Sequence, residues 1–333
     1  VATWKPLFTL LPEITMPTWF QSACLALCLI TSLPARSDTQ LTVMSFNTWG
    51  AGTNAGKSID ETVAVIRAAN PDIIGLQEIR PESATCEAEH CPAGPQSVAP
   101  QLAAALGYEL LEQLADNEVL WANAILSRYP IRAATPGGLG ARIDVNGREV
   151  LLFNIHTTDY PYGPFQLLSI PYGQATFLDT ADQAIDAAWQ ARRKAFELLS
   201  ADLATAGDAA AVFITGDFNE PSFRDWTAAA AAAGIHPVEV AWPFTHAVEG
   251  LGFTDVFRAA HPDPLLKPGF TWSPNITPAT QDDHRDRIDF IFARGENLLI
   301  DSAAVIGESG PWSDIAVDPF PSDHRAVVAT VRF

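Results

Sequence analysis

Positive charge is what this chain has least of. Against 39 Asp and Glu stand 20 Lys and Arg, a formal net charge of −19 over 333 residues. A field of that sign repels polyanions. It argues against recognition of a nucleic-acid backbone or an anionic membrane through a broad basic surface. The densest basic group, Arg192-Arg193-Lys194, falls within a helical pattern and is not a backbone-tracking cluster. Phosphate chemistry stays open, because a bound cation reverses the sign locally. Cysteine is also scarce, at 4 residues, and only Cys86 and Cys91, in CEAEHC, lie beyond the N-terminal region. A short-loop disulfide is the favoured reading of that pair; a Cys/His metal site with His90 is the rival. No repeat is visible and no linker splits the chain, so one domain is expected after the N-terminal leader.

Long apolar runs are missing too. Trp19–Leu33 is an apolar stretch of about 15 residues, whereas a spanning helix needs about 20. Ala35-Arg36-Ser37 follows, with small residues at the −3 and −1 positions of a cut after Ser37, and Met16 stands where such a leader would start. A basic n-region between Met16 and the apolar core is lacking. The expectation is a signal-peptide-like leader over 1–37 and a domain over 38–333. The mature chain is then periplasmic or extracellular, without stable membrane insertion. Its 296 residues carry a net charge of −20, since Lys5, Arg36 and Glu13 leave with the leader.

Apolar residues, by contrast, are abundant at 48%, ample for a large core. Strand-like runs at Leu41–Phe46, Asp72–Leu76, Tyr108–Gln113, Ala122–Ser127, Glu149–Ile155, Ala211–Thr215, Arg287–Ala293, Ser302–Gly307 and Arg325–Arg332 interleave with helical patterns. The helical patterns cover Ser58–Ala69, Val98–Leu106, Phe177–Ala206 and Trp226–Ala233. Asn146-Gly147 marks a turn between two strands. The prolines of Thr157–Tyr172 predict a connection without regular structure. Interleaved strands and helices imply an α/β domain with mixed sheets.

Short polar motifs sit at the ends of these runs. They are SFNTWG around Asn47, GLQEIR around Glu78, His156 closing its strand, GDFN with Asp217 and Asn219, RID with Asp289, and SDH with Asp323 and His324. Acids, amides and histidines at strand ends can converge on one mouth of a sheet core. That donor set suits a hard divalent cation and a phosphate. Each residue alone has a plainer reading: Asp217 as a helix cap, Asn47 and Asn219 as turn residues. Six such coincidences in one order are harder to explain that way.

The ordered set resembles the endonuclease/exonuclease/phosphatase superfamily over about residues 41–333. The resemblance implies a DNase I-like four-layer α/β sandwich, two mixed β-sheets face to face flanked by helices, with the active site at one end. It implies Glu78, Asn47 and Asp323 as the metal residues, and Mg2+ or Mn2+, one or two ions, as cofactor. Asp217 would orient or deprotonate the attacking water, and Asn219 would hold a phosphate oxygen. His324 would sit against the phosphate with Asp289 fixing its tautomer, and His156 would stabilise developing charge. Histidine rather than tyrosine at 156 places the chain nearer the DNase I and sphingomyelinase branches.

The substrate is less legible. Tyr160, Tyr162 and Phe165, following His156, and Trp272, preceding the Asp289 strand, are candidate substrate contacts through ring stacking. With basic residues so few, a small phosphoester or lipid headgroup is favoured over duplex nucleic acid as partner, and a monomer is expected. The function expected is an exported metal-dependent phosphoesterase. The alternatives are an extracellular or periplasmic nuclease and a non-catalytic binding protein on the same fold. His284 could reach the site, but a solvated charged loop is the simpler reading. His90, His236, His246 and His261 read as surface or structural.

Overall fold

Strict alternation of side chains along the strands lets each of two sheets bury both faces. A computed structural model describes residue 1 and residues 39–81, 96–113, 119–120, 122–272 and 284–333. The expected leader, the Cys86/Cys91 pair and His90 lie outside the described residues. In chain order the elements begin with β1 (Gln40–Asn47), a 3-10 turn (Gly50–Ala55), α1 (Ile59–Ala69), β2 (Ile73–Gln77), α2 (Ala99–Leu106), β3 (Glu109–Gln113) and β4 (Asn123–Ser127). Next come β5 (Ile131–Ala134), β6 (Gly140–Val145), β7 (Arg148–His156), α3 (Gly163–Leu168), α4 (Ala181–Leu203) and β8 (Ala211–Asp217). The chain continues with α5 (Ala228–Ala232), α6 (Pro243–Gly250), β9 (Thr254–Asp255), α7 (Val256–Ala260) and β10 (Asp289–Arg294). It closes with β11 (Leu299–Gly307), β12 (Ile315–Ala316) and β13 (Ala326–Arg332).

One sheet runs β12-β11-β13-β1-β2-β4-β3 and the other β5-β6-β7-β8-β10-β9. Each has a central parallel pair, β1 with β2 and β7 with β8, flanked by antiparallel neighbours, and the first sheet adds a short parallel pair of β11 with β12 at its edge. Leu41, Val43 and Ile73 of the first sheet meet Val150, Leu152, Phe213 and Ile291 of the second in the central core. The alternate residues face outward. Met44, Phe46, Ile74 and Leu76 pack on Val63, Ile66 and Leu102 of α1 and α2. Leu151, Phe153, Val212 and Ile214 pack on Leu199 and Leu203 of α4 and on Phe244 and Val248 of α6. The result is the expected four-layer sandwich, helix on sheet on sheet on helix.

Several local expectations are corrected. The connection after His156 is not wholly irregular, because α3 forms within it. Pro164 occupies the first turn, where a missing N–H goes unnoticed. Gly163 opens that helix because a Cβ there would stand 2.6 Å from the Trp242 ring. The long helix starts at Ala181 rather than Phe177, where Thr180 and Gln183 close a reciprocal capping box. Short elements such as α7, β9 and β12 have too few residues to show a period. Among the described residues no helix is long and apolar enough to cross a membrane.

Candidate active site

The two central parallel pairs end side by side, and their polar termini form the site. Asn47 is opposite Gln77 in register, one residue before Glu78. His156 is opposite Asp217, and Asp217 opposite Asp289 on its other flank. Period-two alternation carries the inward direction of Val43 to Asn47, of Leu152 to His156 and of Phe213 to Asp217. Each strand therefore changes from apolar to polar along its inward face as it approaches the mouth.

Asn47 lies between two carboxylates: its Nδ2 donates to Glu78 Oε1 at 2.9 Å and to Asp217 Oδ2 at 3.0 Å. His156 Nε2 is 3.8 Å from Glu78 Oε1 and 3.6 Å from Asp217 Oδ2. His324 Nε2 approaches the same Asp217 oxygen at 3.7 Å, while its Nδ1 meets Asp289 Oδ2 at 2.9 Å. The other Asp217 oxygen accepts the Asn219 backbone N–H at 2.9 Å. Asn219 donates its side-chain amide to Thr157 O at 3.0 Å. The structure brings all these residues, and Asp323 beside His324, together at one end of the sandwich.

Two of them hold unusual backbone. Glu78 has φ 53 and Asn219 φ 48, the left-handed region that non-glycine residues seldom occupy. Glu78 is held there because its carbonyl accepts from Gly50 N at 2.8 Å and Thr48 Oγ1 at 3.0 Å. Such conformations concentrate at functional sites.

The carboxylates repel one another in a poorly solvated space. Burial pushes the Glu78 carboxyl up to about 7, with His156 pulling it back and Asp323 pushing it further. Burial likewise raises Asp323, against the opposing pull of His324. The Asp323 residue is only partly buried, yet its Oδ1 is enclosed with no hydrogen-bond partner among the described residues. Burial lowers the His324 pKa, but Asp289, Asp217 and Asp323 outweigh it and hold His324 well above its ordinary value. An enclosed, unpartnered carboxylate oxygen beside a carboxyl raised by burial fits a hard cation, for which oxygen donors are the ordinary ligands. Glu78 and Asp323 offer carboxylate oxygens to one, and among the described residues the ligand atoms of Glu78, His156 and Asp217 also lie within 4.8 Å of one another; Asn47, whose Oδ1 accepts from Trp49 N at 3.1 Å, would have to turn its amide to join them.

The aromatic candidates divide. The Trp272 ring stands 6.4 Å from His324, and Phe165 is 5.6 Å from Trp272. Tyr172 is 6.1 Å from Phe165, and Tyr160 is 5.9 Å from Tyr172. These four partly exposed rings make a row leading from the histidine. Tyr162 is corrected: it is buried, packed edge-on against Phe165 and Trp272, and its hydroxyl donates to Asp286 at 2.7 Å. It supports the row instead of presenting a face. His284 faces His236 at 3.3 Å and Asp286 at 3.6 Å.

Sequence reading overlooked the layer beneath. Asn154 Nδ2 donates across the sandwich to Leu76 O and Gln113 Oε1, both at 2.9 Å, and its Oδ1 accepts from Gln77 Nε2 at 2.6 Å. It also overlooked Arg192, 1% exposed, whose Nη2 donates to Asn219 O at 2.7 Å. The signal was there: Arg192 continues the stripe Ala184, Ala188, Ala195, Leu199 that α4 buries.

Fold and pocket together define a two-sheet α/β sandwich with an acid–amide–histidine mouth at one end. The model of the Endonuclease/Exonuclease/phosphatase family matches residues 44–324, and the chain belongs to that family. It is 27% identical over 311 residues to the Caenorhabditis elegans protein F14F9.5, described as uncharacterized, covering 87% of this chain and 91% of that one. Among solved structures, D. rerio TDP2 complexed with a single strand DNA product shares the fold with TM-score 0.53 and 18% identity, over 88% of this chain and 99% of its own. An endonuclease/exonuclease/phosphatase from Beutenbergia cavernae gives TM-score 0.51 and 19% identity, over 88% and 72%.

Proposed function

We propose that this protein is a divalent-cation-dependent phosphoesterase hydrolysing a small phosphodiester or phosphomonoester. The observation that carries this reading is Asp217 Oδ2, which Asn47 Nδ2 contacts at 3.0 Å with His156 and His324 at 3.6 and 3.7 Å. Mg2+ or Mn2+, one or two ions held by Glu78, Asp323 and Asn47, would supply charge neutralisation at the phosphate. Asp217, its carboxylate fixed by Asn47 and by the Asn219 backbone, accepts the proton of the attacking water as a new P–O bond forms. His324, kept cationic by its carboxylates, donates from Nε2 to a phosphoryl oxygen. His156 stabilises charge on the departing oxygen as the ester P–O bond breaks. Asn219 steadies the Asp217 turn through its backbone N–H, and to hold a phosphate oxygen its side-chain amide would use the hydrogen not given to Thr157 O.

Net charge of −19 supports a small ester over duplex nucleic acid as substrate. A flexible single strand is the second reading, favoured by the row of rings from Trp272 to Tyr160, on which bases could stack. The apolar stretch before Ser37 supports export as part of the same proposal. The test is a panel of aryl phosphodiester, aryl phosphomonoester, inositol phosphates, phospholipids, RNA, single-stranded DNA and plasmid, each with Mg2+, Mn2+ or EDTA. Cation-dependent turnover of the small esters is expected. Nucleic-acid cleavage with the small esters untouched would move the function to the nuclease reading, and no turnover anywhere would end both.

A further inference from the structure

A second cluster of metal-ligating side chains lies apart from the catalytic set. His236 follows α5 and is buried, its ring stacked on Trp226 with centroids 4.2 Å apart and planes 13° apart. His284 and Asp286 belong to the segment entering β10. His236 Nδ1 is 3.3 Å from His284 Nε2, and that nitrogen is 3.6 Å from Asp286 Oδ2. All three ligand atoms lie within 4.8 Å of one another.

The geometry points to a second metal site at His236, His284 and Asp286, taking a borderline transition cation such as Zn2+. At 3.3 Å the two nitrogens can share a long hydrogen bond if one ring donates, and the same span fits two ligands of one ion. Two ligands each about 2.0–2.1 Å from a tetrahedral ion stand roughly 3.3–3.4 Å apart. The histidine pair already has that span, and the Asp286 oxygen, 3.6 Å from His284 Nε2, is within a few tenths of an ångström of it on that side. Two imidazoles and one carboxylate select a zinc-like ion over Mg2+, which prefers oxygen alone.

The surroundings match a ligand set. Asp286 is held by outer partners, accepting Trp226 Nε1 at 2.8 Å on Oδ1 and the Tyr162 hydroxyl at 2.7 Å on Oδ2. Such contacts orient ligating carboxylates. His284 is only partly buried, so solvent can fill a fourth position. The site also touches the catalytic mouth through backbone. Trp272 N donates to Asp286 O at 3.0 Å and Asp286 N to Trp272 O at 3.3 Å, and Trp272 bridges to His324. An ion here would fix Trp272 and Tyr162 from behind.

The test uses the full chain without a polyhistidine tag, stripped with EDTA and equilibrated with Zn2+ or Co2+. Glu78→Gln serves as the parent, to weaken cation binding at the catalytic mouth. Elemental analysis should find one equivalent of Zn2+ in the parent, and Co2+ should give visible tetrahedral absorption. Adding His284→Ala should remove the equivalent, the absorption and the Zn2+-dependent rise in Tm, with metal-free circular dichroism unchanged. His236→Gln, which keeps most of the ring's volume, gives an independent second loss. A parent that binds no Zn2+, or variants that bind as much as the parent, would overturn the assignment.

Discussion

His324 Nδ1 lies 2.9 Å from Asp289 Oδ2, and this bond turns Nε2 toward Asp217. A carboxylate on one ring nitrogen fixes the tautomer and favours the cation. Burial alone would lower the His324 pKa, and Asp289 is the first of the groups that raise it. The sign follows: the active cation is lost as pH rises through the His324 pKa. Asp289→Asn should lower kcat by on the order of a hundredfold or more, the usual cost of losing one donor to the developing charge. It should also move the alkaline limb of the pH–rate profile to lower pH. A slower enzyme with an unmoved alkaline limb would make Asp289 merely structural.

Asn47 donates one amide nitrogen to two acids, Glu78 at 2.9 Å and Asp217 at 3.0 Å. Without it the two carboxylates face each other across a buried gap. Asn47→Ala should destabilise the metal-free protein by about 1–3 kcal/mol, the cost of leaving buried polar groups unpaired. Saturating Mg2+ should recover part of that loss, because a cation held at Glu78 and Asp323 neutralises one of the two acids. Thermal melts with EDTA and with Mg2+ measure both. A loss that Mg2+ leaves unchanged would count against a cation between these residues.

The fold and most of the site were legible because both rest on short-range patterns. Period-two runs gave the strands of the parallel pairs, and a polar residue closing an apolar run marked Asn47, Asp217 and His156. The cross-sandwich contacts were not legible. Nothing local distinguishes Asn154, deep in β7, from a turn-forming asparagine; its partners at Leu76 and Gln113 are 78 and 41 residues away. Tyr162 misled because a ring beside a catalytic histidine reads as a substrate contact. Only the packing shows that its hydroxyl points inward to Asp286. Arg192 was passed over inside a basic triplet, although its position on the buried stripe of α4 set it apart from Arg193 and Lys194.

Glu78 makes the metal-free protein pH-sensitive in a defined direction. Its carboxyl rises from 4.5 to about 7, first through burial, then through Asp323, with His156 opposing. Between these values the folded protein keeps a proton that the unfolded chain has released, so stability falls as pH rises from about 4.5 to 7. At about 1.4 kcal/mol per pH unit the effect is on the order of 3 kcal/mol. Glu220, raised by burial to about 7, adds a decline of the same sign. In EDTA, Glu78→Gln should therefore flatten the Tm–pH curve without abolishing its slope. Wild-type and variant curves of equal slope would contradict the proposed burial of Glu78.

Gly75 is the position where the sandwich tolerates no side chain. A Cβ there would lie 2.0 Å from Thr215 Oγ1 and 2.5 Å from Asn154 Oδ1. Thr215 itself donates to Phe153 O at 3.1 Å and to Asn154 Oδ1 at 3.2 Å, so neither atom can withdraw without leaving a buried group unpaired. Gly75→Ala should cost about 1–3 kcal/mol as overpacking, with more where the Asn154 hydrogen bonds break. Thr215→Ala should also destabilise, by losing its own bonds. Combined, the two changes relieve the tighter clash, so the double variant should be at least ~1 kcal/mol more stable than the sum of the single losses predicts. Chemical denaturation of the four proteins measures this coupling. Strict additivity would show that Gly75 and Thr215 are not in contact across the core, and that the polar layer does not support the mouth as one unit.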